Sequence, residues 1–341
     1  GVVVVVVSIL LAHVSKYVIE ERFRHARKGE SFRPYVIGAG LSAVVLVSAS
    51  ALFITESTGA KANTYAYAPG VGDNGSVSEV TDPMLARNDL ADAYSAGCIA
   101  PSRGEDVRIC RYGRQSGTVV VAIGDSHMVQ WLPALSRIAD EKGIDLYAMT
   151  KTGCAFMSIS ASEVDTVERK SCAAWNKKSL LLIKEIDPAA VIVANSIGAM
   201  HMLGRSHDQA QKVGERMSMA WRDVMSLGDV KLIAIRETPR MKEDPPTCLR
   251  RTKLKSEACD TPRAFAISRD SLVEIASRGT RGVSIIDMND VICRRDVCPA
   301  QAGDRYIWRD NHHLTASYVE SLREDLSRRI WPLISGNGAS K

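Results

Sequence analysis

Two stretches of the sequence gather residue types that can carry out acyl chemistry. In "VVVAIGDSHMVQW" (119–131) an apolar run stops at Gly-Asp-Ser-His and a helical pattern follows, so Ser126 stands where a strand passes into a helix. The first turn of a helix offers unpaired N–H groups and a positive dipole end. A serine there can attack a carbonyl while those amides receive the developing oxyanion. The same residues also suit a plain helix cap made by Ser126 or Asp125. The quartet alone does not choose between the two.

A serine nucleophile needs a base, and the base needs an orienting group. Of the seven histidines, His13 and His25 fall in or near apolar or basic N-terminal segments, and His127 adjoins Ser126, so on a helix it should point elsewhere. His201 and His207 have no acid at a useful spacing apart from Asp208. The second stretch, "YIWRDNHHLTASY" (306–318), holds Asp310 and His313 three residues apart. On one helical-type turn that spacing brings the carboxylate beside the imidazole, where it can fix the tautomer and stabilise the imidazolium. For His312 the equivalent position is Arg309. His313 is therefore the expected base, and His312 a neighbour lining the site. Trp308, next to the Asp-His turn, and Lys151 in "TKTGC" are candidate substrate contacts. Trp131 and Trp175 sit in helical patterns and are expected in the core.

The elements that must position these residues alternate. Strands are expected at 118–124, 145–150, 189–195, 231–237 and 283–288, several of them continuous Val/Ile runs suited to burial on both faces. Helices are expected near 127–142, 172–186, 208–227 and 262–278, with a last one after "LTASY". Alternation over residues 117–335 implies a three-layer α/β domain, a parallel sheet with helices on both faces. Ser126 then lies at the carboxyl end of a parallel strand, where such folds place ligands. The stretch "RETPRMKEDPPTCLRRTKLKSEACDTPR" is basic and Pro-rich, a solvated loop or a lid over an acidic glycan.

Upstream, residues 1–19 and 35–55 are apolar. At about 1.5 Å per residue the second can span the roughly 30 Å hydrocarbon core. Two transmembrane helices are expected within 1–55, joined by a basic loop (20–34) holding Arg22, Arg24, Arg27, Lys28 and Arg33, which should stay cytoplasmic. Residues 56–116 then form a linker or extension. Because the chain starts inside an apolar run, it is expected to be a piece of a longer membrane protein. The net charge of +5 is spread along the chain and does not argue for nucleic acid.

All eight cysteines follow the second apolar run, as expected for a translocated, oxidising compartment. Consecutive ones make natural pairs: Cys98–Cys110, Cys154–Cys172, Cys248–Cys259 and Cys293–Cys298. Spacing does not prove this connectivity. Zinc binding by cysteine is the rival, but there is no CxxC and no cysteine–histidine cluster, so no metal is expected.

"GDSH" after the first strand and "DNHHLT" before the last helix resemble the first and last blocks of the SGNH hydrolase family, whose fold is flavodoxin-like. The resemblance implies Ser126 as nucleophile, Asp310 as acid and His313 as base. It implies an oxyanion hole of the Ser126 amide, Gly153 in "TKTGC" and Asn195 in "VANSIG". Asn195 has a second reading, a strand-end residue bonding the backbone. With two membrane helices, a basic loop and a linker ahead of it, the chain resembles the C-terminal part of acyltransferase-3 membrane proteins fused to an SGNH domain. That implies transfer of an acyl group, commonly acetyl, to a bacterial surface polysaccharide such as O-antigen or to a lipid-linked glycan. It further implies an inner-membrane protein with a periplasmic SGNH domain. No cofactor is expected on this segment; acyl-CoA (acetyl-CoA) would supply the upstream membrane part. The alternatives are a carbohydrate esterase and an inactive glycan-binding module.

Overall fold

Runs of β-branched residues build the central sheet. The computed structural model describes residues 65–67, 82–203, 208–269 and 271–336. The two expected membrane segments, the loop 20–34 and most of the stretch 56–81 lie outside the described residues. Among the described residues no helix is long and apolar enough to cross a membrane.

The strands are β1 (Tyr65–Tyr67), β2 (Ile99–Ala100), β3 (Ile109–Gly113), β4 (Thr118–Gly124), β5 (Ile144–Lys151), β6 (Ala190–Ala194) and β7 (Lys231–Ile235). Then come β8 (Thr261–Pro262), β9 (Ser284–Ile286) and β10 (Val297–Cys298). The main sheet runs β1-β3-β5-β4-β6-β7-β9, with β2 also on β5. All pairings from β5 through β9 are parallel, and β3 is antiparallel to β5. The five parallel strands thus follow the flavodoxin-like order, whose switch point lies between β4 and β6. β8 and β10 form a separate antiparallel ribbon. β2 and β3 come from before residue 117, so the sheet begins within the stretch expected as an extension.

The helices are α1 (Ser126–Lys142), α2 (Val167–Ile186), α3 (Gln209–Met225), α4 (Pro245–Arg251), α5 (Leu272–Arg278), α6 (Ala316–Ser321) and α7 (Arg323–Ser335). Along β4 the side chains alternate between two cores. Val120 and Ala122 pack with Leu132 of α1 and Leu326 and Ile330 of α7. Val121 and Ile123 pack with Trp175 of α2 and Trp221 of α3. That is the signature of a strand buried on both faces, each large apolar side chain contributing about 1.5–3 kcal/mol. Trp131 and Trp175 are buried, as expected.

Two helices depart from expectation. α2 begins at Val167 rather than 172 because the Thr166 hydroxyl accepts the Arg169 N–H at 3.2 Å and caps it there. The single helix expected over 262–278 is broken into a short piece, Arg263–Ala266, and α5. Ser271 starts the new helix: its hydroxyl accepts from the Glu274 N–H and donates to Glu237 Oε2 at 2.8 Å.

The cysteines pair as their order suggests: Cys98–Cys110, Cys154–Cys172, Cys248–Cys259 and Cys293–Cys298. The basic loop is not a loose strap. It carries α4, and Cys248, Leu249 and Cys259 pack with Ala86, Ala300 and Tyr306.

Candidate active site

Gly124 closes β4 in a space too narrow for any side chain. A Cβ there would stand 2.0 Å from the Ala194 carbonyl oxygen on β6. This close approach sets the ends of β4 and β6 side by side, with Gly124 opposite Ala194 on one flank and Thr150 on the other. The residues just beyond these three strand ends are Ser126, Gly153 and Asn195.

Asp125 is the cap of α1. Its Oδ1 accepts the His127 N–H at 2.8 Å and its Oδ2 accepts the Ser196 N–H at 2.9 Å. Burial pushes its carboxyl up to about 6, against the lowering effect of those amides. The capping role being filled, the Ser126 hydroxyl is free for another partner. It meets His313 Nε2 at 2.8 Å.

His313 sits on a turn rather than a helix. The Arg309 N–H donates to the His313 carbonyl at 3.0 Å, and Asp310 Oδ1 accepts the N–H groups of His312 and His313 at 2.9 and 2.8 Å. The second carboxylate oxygen, Oδ2, lies 2.7 Å from His313 Nδ1. Burial pushes the Asp310 carboxyl up, but the bonds from His313 and the two amides outweigh it and hold it well below the usual carboxylate range. Asp310 is therefore an anion beside the imidazole. Two residues outside the turn dock it. Gln130, one helical turn after Ser126, accepts the Leu314 N–H at 3.0 Å, and the Met241 N–H donates to the Asn311 carbonyl at 2.7 Å.

The opposite wall is the turn after β5. Gly153 takes φ +62, a left-handed conformation that favours glycine, and a Cβ there would meet nothing within 4 Å. Neither the Ser126 nor the Gly153 amide donates to a protein acceptor among the described residues. Of the two alternatives for Asn195, the structure shows the backbone bond of a strand-end residue and leaves its amide nitrogen open. Its Oδ1 accepts the Phe156 N–H at 3.0 Å, while its Nδ2 is buried with no protein partner. An orphaned buried donor is costly unless something else supplies an acceptor. The turn is braced by the Cys154–Cys172 bridge and by Asn176, whose Oδ1 accepts the Met157 N–H at 3.1 Å.

A serine hydroxyl, an imidazole and a half-buried carboxylate joined in line are an arrangement that suits acyl transfer. The family model of SGNH domains fused to AT3 domains matches residues 97–328. The chain belongs to this family. The sequence matches no curated protein. Among solved structures, the SGNH domain is similar to the periplasmic domain of a lipopolysaccharide acetyltransferase from Salmonella ser. Paratyphi A. That likeness has a TM-score of 0.51 at 18% identity and covers 70% of this chain and 88% of that one. A GDSL-like lipase from Bacteroides thetaiotaomicron matches with a TM-score of 0.36 at 10% identity, over 64% of this chain and 89% of that one. The first likeness supports the fold; the second carries no argument.

Two expected contacts of the SGNH domain are not at the site. Trp308 is buried, its indole N–H donating to the Pro299 carbonyl at 2.8 Å, and its backbone pairs with Leu314 across the turn of Asp310 and His313. Lys151 is also buried. Its ammonium donates to the carbonyls of Pro101 and Gly104 at 2.6 and 2.5 Å and to the Ser171 hydroxyl at 3.1 Å, so it holds a loop rather than a ligand. Burial brings its pKa down to about 8.

One residue set aside on sequence is at the site. The His127 ring does not point away: Nε2 lies 3.1 Å from His312 Nδ1, and Nδ1 lies 2.9 Å from the Thr238 hydroxyl. Burial, then the charge of His313, holds His127 well below its ordinary value and brings half-buried His312 to about 4. Thr238 follows β7, and the carboxyl end of a parallel strand is the one signal that could have singled it out.

Proposed function

We propose that this SGNH domain transfers an acyl group, acetyl by preference, to a hydroxyl of a bacterial surface polysaccharide or its lipid-linked precursor. The observation that carries the proposal is the unbroken line Ser126 Oγ, His313 ring, Asp310 carboxylate, joined at 2.8 and 2.7 Å. His313 Nε2 takes the Ser126 proton as Oγ bonds the acyl carbon. The imidazolium then returns that proton to the leaving group. In the second half the acceptor hydroxyl gives its proton to His313, its oxygen bonds the acyl carbon, and Ser126 regains a proton as the acyl-serine bond breaks. The amides of Ser126 and Gly153 and the Nδ2 of Asn195 receive the oxyanion in both halves. His312, half-buried beside the base, is placed to touch the acceptor.

Transfer rather than hydrolysis is favoured by the family's fusion to AT3 domains and by the similarity to the periplasmic domain of the Salmonella lipopolysaccharide acetyltransferase. The four disulfides fit a periplasmic location. In this reading the N-terminal apolar segments cross the inner membrane, and the membrane part draws the acyl group from cytoplasmic acyl-CoA.

The test is mass analysis of surface polysaccharide from cells carrying the full-length protein or its Ser126→Ala variant. Loss of the acyl group in the variant is expected. Unchanged acylation rejects the transfer reading. Increased acylation would instead assign removal of acyl groups.

A further inference from the structure

Three imidazoles converge beside Ser126. The ring centroids of His127, His312 and His313 lie 5.3, 4.8 and 4.0 Å apart in the pairs 127–312, 127–313 and 312–313. One ring nitrogen from each falls within 4.8 Å of the other two. Of the three rings the triad uses only that of His313.

The outer nitrogens of two rings are held as a metal site needs them. A ligating histidine usually gives its second nitrogen to a carboxylate, hydroxyl or carbonyl, which fixes ring and tautomer. His313 Nδ1 is on Asp310 at 2.7 Å, and His127 Nδ1 is on the Thr238 hydroxyl at 2.9 Å. That leaves His127 Nε2, His312 Nδ1 and His313 Nε2 as the inner set. Tetrahedral zinc with Zn–N bonds of about 2.0–2.1 Å wants nitrogens roughly 3.3–3.4 Å apart. His127 Nε2 and His312 Nδ1 are already at 3.1 Å. The three ring nitrogens lie within 4.8 Å of one another, so the widest spacing must close by at most about 1.5 Å.

We propose that His127, His312 and His313 bind a divalent transition ion of the zinc class, the bond to His313 forming at the expense of its hydrogen bond to Ser126. Three imidazoles suit zinc, copper or nickel and are poor ligands for magnesium or calcium. A metal on His313 Nε2 occupies the lone pair that takes the serine proton, so the ion is a reversible inhibitor. Binding rests on the geometry alone; inhibition rests on the function proposed above.

The test uses the untagged full chain in detergent. Titration with Co2+ should give the intense visible bands of a low-symmetry nitrogen site at one ion per chain, and Zn2+ should displace them. Calorimetry with Zn2+ should show His127→Ala and His312→Ala each weakening binding at least about tenfold, and Thr238→Val weakening it about tenfold through the outer partner. Ser126→Ala, which frees His313 Nε2, should bind Zn2+ at least as tightly as wild type. Absence of the Co2+ bands in the wild-type chain overturns the proposal without needing any variant to fold. Zn2+ affinity unchanged in both histidine variants overturns it equally. Zinc binding with undiminished acylation by Ser126→Ala would sink the proposed function and spare the site; the converse pattern would do the opposite.

Discussion

Asp125 Oδ2 accepts the Ser196 N–H at 2.9 Å, so the residue that caps the helix of Ser126 also fixes the strand end that carries Asn195. One buried carboxylate sets the spacing between Ser126 and Asn195, the proposed nucleophile and oxyanion donor. Asp125→Asn keeps a side-chain oxygen for the His127 N–H but turns an amide toward the Ser196 N–H. A buried donor left unpaired should cost about 1–3 kcal/mol in thermal or urea unfolding. Hydrolysis of an activated acetyl ester should fall by at least about tenfold, since the loss of alignment adds to the loss of stability. Full activity in this variant would remove Asp125 from the positioning of the site.

Asn195 is expected to act on the transition state. Asn195→Ala should lower kcat by about 10²–10³-fold with little change in KM, the mark of a lost oxyanion donor. The same change also frees the Phe156 N–H, so stability should be measured alongside. A loss of stability with kcat unchanged would make Asn195 a strand-end brace only.

The Cys154–Cys172 bridge, spanning 18 residues, ties the Gly153 turn to α2. Replacing both cysteines with serine should destabilise the domain by about 3 kcal/mol and loosen that turn. Activity should drop more than for removal of Cys248–Cys259, which closes a loop away from the oxyanion wall. Equal losses for the two bridges would contradict the bracing role.

Lys151 gives a pH dependence with a defined sign. Its pKa is lowered from 10.5 to about 8 in the folded domain, so between these values the unfolded chain holds a proton that the folded one has lost. Stability from this group must rise with pH through that window. The unfolding temperature of wild type relative to Lys151→Met should therefore shift in favour of wild type between pH about 8 and about 10. A constant difference would show that the ammonium keeps its proton in the fold.

The strands of the parallel sheet and the Asp310–His313 pair were legible because their signals are local. "TVVVAIG" is a strand by its own composition and forms β4 over the expected residues, 118–124. Asp310 and His313 are three apart, and a single turn joins them. What sequence missed depends on distant partners. The break before α5 comes from Ser271 bonding Glu237, 34 residues away. His127 is adjacent to Ser126, so helical geometry alone sends it elsewhere; Thr238 and His312 hold its ring at the site. Trp308 shows the opposite error: adjacency to the Asp–His turn suggested a pocket wall, but its indole N–H bonds the Pro299 carbonyl and its ring is buried.

In the proposed reaction Ser126 carries the acyl group, with His313 as its base. The most direct test is peptide mass analysis of the chain after brief reaction with an activated acetyl ester. One acetyl group is expected on the peptide bearing Ser126, absent in Ser126→Ala and strongly reduced in His313→Gln. Acetyl found on another residue, or acylation unaltered in Ser126→Ala, would contradict it.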